Sequence, residues 1–527
     1  MVYTKQSISR KLILWILTVL LLLPVDFIHA ESIGSSVNVG IQSTKTVTIR
    51  PFEPLERDII TVYNEVYESL IMIDDNYIPQ GYLAESWEET NSGKNWTFTL
   101  RPDIHFSDGT PVTAYDVVAS ANYILDKAND ENITDHGFYS NLAYFVKNIT
   151  AKDERTVVIR TKRPYYGILY EMTFPIVPES QVSSDNPIGS GPYVITDFNL
   201  LSKTIYLNAN ENWWKGKPSI REIIVTLYES KQQVIQGYEY GQDDIIFTRA
   251  TAGSQYKTGA KTISTSYRTN QLECLYMNNA SSELTLNARK AIRYAIDRQK
   301  IINSIYSGMA VQTNFPFYPG TWLYNDSLDF QYSMNLDEAR RLLAEDGWED
   351  YDENNFLDRQ DSEGKQQNLH LRFYVYEEPD NDVRLETANM IAEQLAQIGI
   401  DCKVEAMSMA NMKEKLRAGS FDLALVAFSM DICPDPGFML MRGNTGNYNR
   451  YKSSRMTELC EQYRSQTSQE ALREKAMEIQ SLFTEDCPFL CLYFRSGSVI
   501  SRYLYTTRRD IHEYELLRGI ESYNATP

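Results

Sequence analysis

Residues 96–120 read WTFTLRPDIHFSDGTPVTAYDVVAS, and the fold turns on whether the acids here form a catalytic or metal loop or only a corner of the chain. Residues 96–101, WTFTLR, alternate large and polar side chains, the two-residue period of a half-buried strand. In Asp108-Gly109-Thr110-Pro111 the glycine admits positive φ and the proline fixes its own, which is turn chemistry. Thr113 and Asp116 then stand three apart, the spacing at which the two ends of a helix's first turn satisfy each other's backbone. Val117, Val118, Ala121 and Ile124 follow at helical spacing. A strand, a turn and a capped helix use every polar residue in the stretch. The reading is structural, with no chemistry left over for Asp108.

The same punctuation continues downstream. NPIGSGPY at 186–193 is a Pro/Gly-rich turn leading into a strand at 193–198, with further strands at 204–207 and 223–228. From about residue 285 helices take over. Ala288, Ala291, Ile292, Ala295, Ile296, Ile302 and Ile305 make one apolar face, which predicts a single continuous helix. Asn335 with Glu338 caps another, and Gly347 stops it. A helix at 384–398 buries Ala388, Ile391, Ala392, Leu395 and Ile398; Gly399 ends it, and an alternating strand follows at 400–406. Such alternation predicts an α/β fold with helices packed on a sheet.

At 527 residues the chain exceeds what one core serves, so two or three domains are expected. Lys5, Arg10 and Lys11 precede an apolar run at 12–23, LILWILTVLLLL, followed by Pro24 and a more polar stretch ending at Ala30. That order is a secretory signal peptide over 1–30, the run being shorter than the ~20 residues a comfortable membrane span needs. An uncleaved anchor is the alternative. No cysteine follows to carry a lipid, so the mature chain is expected to be exported, periplasmic or extracellular at the cell surface, without a lipobox cysteine.

A net charge of −19 repels phosphate backbones and anionic lipid heads, which excludes nucleic acid as a partner. Cys274, Cys402, Cys433, Cys460, Cys487 and Cys491 form an even set without a CxxC pair, and His29, His105, His136, His370 and His512 are scattered. In an exported chain that favours disulfides over zinc. Cys487 and Cys491 also fit one face of a buried strand. The chain has no GxSxG elbow, HExxH or GxxxxGK[ST] loop, so no enzymatic motif supports catalysis.

EVYESLIMIDDNYIPQGYL at 65–83, AESWE at 84–88, the stretch at 96–120, NPIGSGPY and ARKAIRYAIDRQKIINSIYSG at 288–308 occur in sequence. In that order and spacing, over residues 60 to 500, the chain resembles the solute-binding proteins of peptide- and nickel-type ABC importers. The resemblance implies a two-lobed, periplasmic-binding-protein-like α/β fold with an extra subdomain in the first lobe. It places the first lobe at 31–280, its inserted subdomain at about 60–185, the second lobe at 281–488 and a return at 489–527. Two crossovers, near 276–284 and 488–496, form the hinge. The implied role is a monomeric, non-enzymatic receptor that captures a peptide or other small solute between its lobes and hands it to ABC permease subunits in the membrane. An oligosaccharide or chelated metal in the same fold, or a solute-sensing role, are the alternatives.

In peptide-binding members the aspartate after the strand resembling 423–428 meets the ligand's amino terminus. Asp431 takes that place here, with Asp435 its neighbour. Dipeptide-binding members carry an arginine for the ligand's carboxylate near the helix resembling 384–398, where this chain has Glu377 with Glu378 beside it. An acid cannot clamp a carboxylate, and Arg442 is the nearest alternative cation. The resemblance to oligopeptide-binding relatives also implies a disulfide between Cys274 and Cys433.

One further stretch carries metal chemistry. Asp350, Asp352, Asn354, Asp358 and Asp361 fall at positions 1, 3, 5, 9 and 12 of a calcium loop, with Leu357 at the apolar eighth. Asn355 stands where such loops have glycine, and Asp361 where they have glutamate. No cofactor is otherwise expected, and a solvated acidic loop is the alternative to calcium.

Overall fold

The computed structural model describes residues 36–523 apart from 45–47, 54–55, 132–136, 250, 260, 361–363, 365, 379–381 and 503–510. The expected signal segment and Asp361 lie outside the described residues.

The deciding stretch folds as a corner. The strand Asn95–Leu100 buries Trp96, Phe98 and Leu100 on one side, as its alternation requires. Gly109 takes φ +86°, and Asp108 accepts from the backbone nitrogen and hydroxyl of Thr110 at 2.9 and 2.6 Å. Those bonds hold its carboxyl below the usual range. Asp116 then accepts from the Thr113 nitrogen at 2.8 Å, opening the helix Ala114–Ala128. Its other oxygen accepts from Glu179 N at 2.8 Å, so the cap also anchors a distant turn.

This strand lies inside a four-stranded antiparallel sheet, Ala84–Thr90, Asn95–Leu100, Thr156–Thr161 and Val146–Asp153, with the helix packed over its last two strands. Ser107 N donates to Gly189 O at 2.9 Å, tying the corner to the NPIGSGPY turn. A Cβ on Gly189 would sit 1.9 Å from the Val66 carbonyl oxygen, so that turn admits only glycine. Glu68, 1% exposed, accepts from Ser190 Oγ and from the indole nitrogens of Trp213 and Trp214 at 2.9–3.0 Å. The sequence motifs at 65–83 and 186–193 are thus two halves of one packed joint.

The main body is a single eleven-stranded sheet. Across it run Asp401–Met407, His370–Tyr376, Leu423–Ser429, Thr262–Met277, Phe489–Arg502, Ile245–Thr248, Ser36–Gln42, Glu222–Tyr228, Thr204–Ala209 and Tyr193–Asn199, with Ala310–Gln312 beside Phe489–Arg502. Thr262–Met277 and Phe489–Arg502 are long and antiparallel, and both halves of the molecule share them. Their pairing breaks between Arg268 and Leu272, opposite Ser496 and Phe494. Outside the break Ile245–Thr248 pairs with residues 498–501; inside it Leu423–Ser429 pairs with residues 271–277.

Two local expectations are corrected. The apolar face at 288–305 is not one helix but two, Leu286–Ala295 and Arg298–Ser304. Ile296 is extended, and Asp297 caps the second helix by accepting from Lys300 N at 2.9 Å. Gln394 holds the break from outside, accepting from Asp297 N at 2.9 Å and donating back to its carbonyl at 3.3 Å. The apolar period runs through the break because both helices face the same core. Asp401–Met407, read as alternating, is partly exposed throughout, as befits the strand at the edge of the sheet.

Candidate functional site

Where the two long strands lose register, Asn270 becomes a junction. Its nitrogen donates to Glu513 at 2.8 Å, its amide to the Tyr514 hydroxyl at 3.2 Å, and its carbonyl accepts from Met430 N at 2.9 Å. The Tyr77 hydroxyl donates to the Asn270 side-chain oxygen at 3.2 Å, while the Tyr77 carbonyl accepts from Tyr170 Oη at 2.6 Å and Trp322 Nε1 at 3.1 Å. Elements from both sides of the break therefore meet at two residues. Elsewhere Tyr166 N donates to Gln466 O at 2.7 Å. The space left is about 20 Å³, lined by Tyr77, Asn270, Tyr318, Met430, Asp431 and Phe494 among others. That holds one water, whereas a ligand pocket needs roughly 300 Å³ or more.

Asp431 opens into this cleft just past the strand Leu423–Ser429. It makes no hydrogen bond or ion pair among the described residues. Crowding by protein raises its carboxyl above the usual range, Asp435 adds to this, and Arg57 opposes it. Arg57 is itself bound to Glu513.

Glu171 ends the short helix Ile168–Glu171 and also lacks a hydrogen-bond partner among the described residues. Burial first, and Asp431's charge second, push its carboxyl up to about 8. The two carboxyls are thus near enough for one charge to act on the other, and among the described residues neither forms an ion pair. Asp435, by contrast, is engaged: it accepts from Gly437 N at 2.9 Å and pairs with Arg464 at 2.5 Å.

The other anticipated residues lie apart. Glu377 and Arg442 are exposed, and Arg442 makes no ion pair among the described residues. Beside Glu377, however, lies a charge cluster that spacing did not show. Arg384, 1% exposed in the first turn of the helix Val383–Ala396, donates to both oxygens of the fully buried Glu273 at 2.7 and 2.8 Å and to Glu378 at 2.6 Å. Arg495 stands 2.8 Å from Glu273 and 3.3 Å from Glu378. Burial alone would raise Glu378, but Arg495 and Arg384 hold its carboxyl below the usual range. Two arginines meet two glutamates, so neither guanidinium is left over for a ligand.

The expected link between Cys274 and Cys433 is not formed; all six cysteines are free. Cys274 pairs with Val426 on one side and Cys491 on the other, in mid-strand. Cys433 lies past the end of Leu423–Ser429, 4.0 Å from the Tyr463 hydroxyl. A larger cavity of about 280 Å³ lies away from the cleft and is lined by Glu65, Lys215, Arg518 and Glu521 among others, none of them anticipated. Asp350, Asp352 and Asp358 come together, their oxygens within 4.8 Å of one another.

Among the described residues no helix is long and apolar enough to cross a membrane. The profile described as bacterial extracellular solute-binding proteins, family 5 Middle, matches residues 79–450. The oligopeptide-binding protein AppA of Bacillus subtilis (strain 168) is 24% identical over 486 residues, 86% of each chain. The nickel-binding periplasmic protein of Escherichia coli (strain K12) is 27% identical over 308 residues, 54% of this chain and 56% of that one. Among solved structures, a nickel ABC transporter protein from Bacillus halodurans superposes with a TM-score of 0.78 at 20% identity, covering 93% of this chain and 100% of that one, which shows the two-lobed α/β fold. From this match over most of its length, the chain belongs to the family 5 bacterial extracellular solute-binding proteins, the solute receptors of ABC importers, and is a binding protein rather than an enzyme.

Proposed function

We propose that this protein is an exported receptor that closes two lobes, 31–280 with 489–527 and 281–488, around a peptide and delivers it to a membrane permease. The observation carrying the reading is Asp431, which lines the cleft without a hydrogen-bond or ion-pair partner among the described residues, its charge raising the nearby Glu171 carboxyl. A carboxylate pair without a counter-ion is unfavourable in low dielectric until a cation enters between them. A peptide's terminal ammonium is such a cation, and a basic first residue would satisfy the second acid. The likeness to an oligopeptide-binding relative supports this ligand class.

A chelated metal is the second reading, favoured by the nickel-binding relatives. Native mass spectrometry of the mature protein as purified, followed by release and fragmentation of the bound solute, tests both. Peptides with free amino ends support the first; a metal complex or a sugar overturns it.

The same acids make closure pH-dependent. Burial first, and Asp431's charge second, raise Glu171 to about 8 in this closed arrangement, so an opening that returns it to water would lower it toward its ordinary 4.5. Closure of the empty protein therefore takes up a proton. It is unhindered below pH 4.5 and becomes harder as pH rises toward 8, by at most about 1.4 kcal/mol per pH unit. Small-angle scattering on ligand-free protein should show a smaller radius of gyration at pH 5 than at pH 8.5, and Glu171→Gln should flatten the difference. Equal radii in the unaltered protein would remove Glu171 from the closing mechanism.

A further inference from the structure

We propose that residues 350–358 form a calcium site in the second lobe, remote from the cleft. The loop is closed at its base by two hydrogen bonds, Glu349 N to Asp358 O at 2.9 Å and Asp358 N to Glu349 O at 2.8 Å. Inside it, oxygens of Asp350, Asp352 and Asp358 lie within 4.8 Å of one another. None of the three forms an ion pair among the described residues. Repulsion alone would spread them apart.

The independent pointer is Asp358. It is 2% exposed, yet its Oδ1 has no hydrogen-bond partner, and its Oδ2 receives only a long bond from Tyr351 N at 3.4 Å. A buried carboxylate oxygen left without a donor is costly, and native interiors rarely contain one. A cation among the three carboxylates supplies what is missing. Backbone donors already orient the other two: Asn354 and Asn355 nitrogens bond Asp350 at 3.0 and 2.9 Å, and Asn354 N reaches Asp352 at 3.3 Å. Each oxygen keeps a second lone pair for an ion.

The donors decide which ion. All are oxygens, which excludes the nitrogen and sulfur preference of zinc. Asp350, Asp352, Asn354 and Asp358 repeat the 1, 3, 5, 9 spacing of a calcium loop, a spacing suited to a large ion with flexible coordination rather than to the small octahedron of magnesium. Glu353 and Asn355 at φ +59° and +74° give the tight winding that glycine usually provides.

The ion would act as a clamp. Leu357, within the loop, donates to Gly399 O at 2.7 Å and accepts from Leu369 N at 2.8 Å. It thereby joins the end of the helix Leu336–Glu345 to the start of the strand His370–Tyr376 and to the turn after Val383–Ala396. That is the leading end of the parallel strands, whereas Asp431 follows the trailing end of Leu423–Ser429.

Titration of chelator-treated mature protein with calcium chloride should show one saturable site with sub-millimolar affinity, a raised thermal midpoint, and terbium luminescence sensitised by Tyr351. Asp352→Asn, at an exposed position, should weaken calcium by about tenfold or more with an unchanged circular dichroism spectrum. Asp358→Asn should raise the midpoint of the calcium-free protein while abolishing its response to calcium, which a merely structural aspartate would not do. No saturable binding up to about 10 mM calcium, or equal binding by both variants, overturns the site, as does an identical response to magnesium.

Discussion

Replacing Asp431 with alanine is expected to weaken peptide binding on the order of 2–4 kcal/mol, or about 30- to 1,000-fold, without lowering the melting temperature. The size follows from what the substitution leaves behind: a ligand ammonium enclosed in a cavity with one carboxylate instead of two. Stability is spared because Asp431 bonds to nothing in the described structure, and removing it relieves its repulsion with Glu171. Asp435→Ala should show the opposite pattern, since that acid pairs with Arg464 and caps a turn but is not free for a ligand. Titration calorimetry with the peptide recovered from the native protein, beside thermal melts, separates the two. A change of under threefold in Asp431→Ala would reduce that residue to part of the loop.

The second large effect is expected on folding. Arg384→Ala should destabilise the protein by about 3–5 kcal/mol, because it strands Glu273 in an interior with only Arg495 for company. Arg384→Met should do little better, since shape is not what is lost. Coupling it with Glu273→Gln should recover part of the loss. Urea unfolding of the single and double variants measures this, and a double variant no more stable than the single one would show that packing, not charge, governs the cluster.

Local signals in the chain proved readable where one turn of backbone decides the outcome. The Thr113–Asp116 cap, the Asn335 cap, Gly109 and Gly399 all act within a few residues, and each appears as its residue type requires. The helix break at Ile296 was not readable, because Gln394, which holds it, comes from a remote helix. Arg384 lies 111 residues from Glu273, and nothing in its neighbourhood marks it as buried. Glu171 sits in PYYGILYEMTFP without period or motif; only the approach of Asp431 gives it a role. Side chains that function through distant partners leave no trace in spacing.

The strand Phe489–Arg502 runs between Thr262–Met277 and Ile245–Thr248, in the middle of a sheet whose first strand is Ser36–Gln42. During synthesis, therefore, the earliest-made half of the molecule lacks a central strand until residue 502 has left the ribosome. Neither half can complete its core before the other, and cooperative folding waits for nearly the whole chain. The order of its strands therefore postpones assembly of the main sheet until nearly all of its residues have been made.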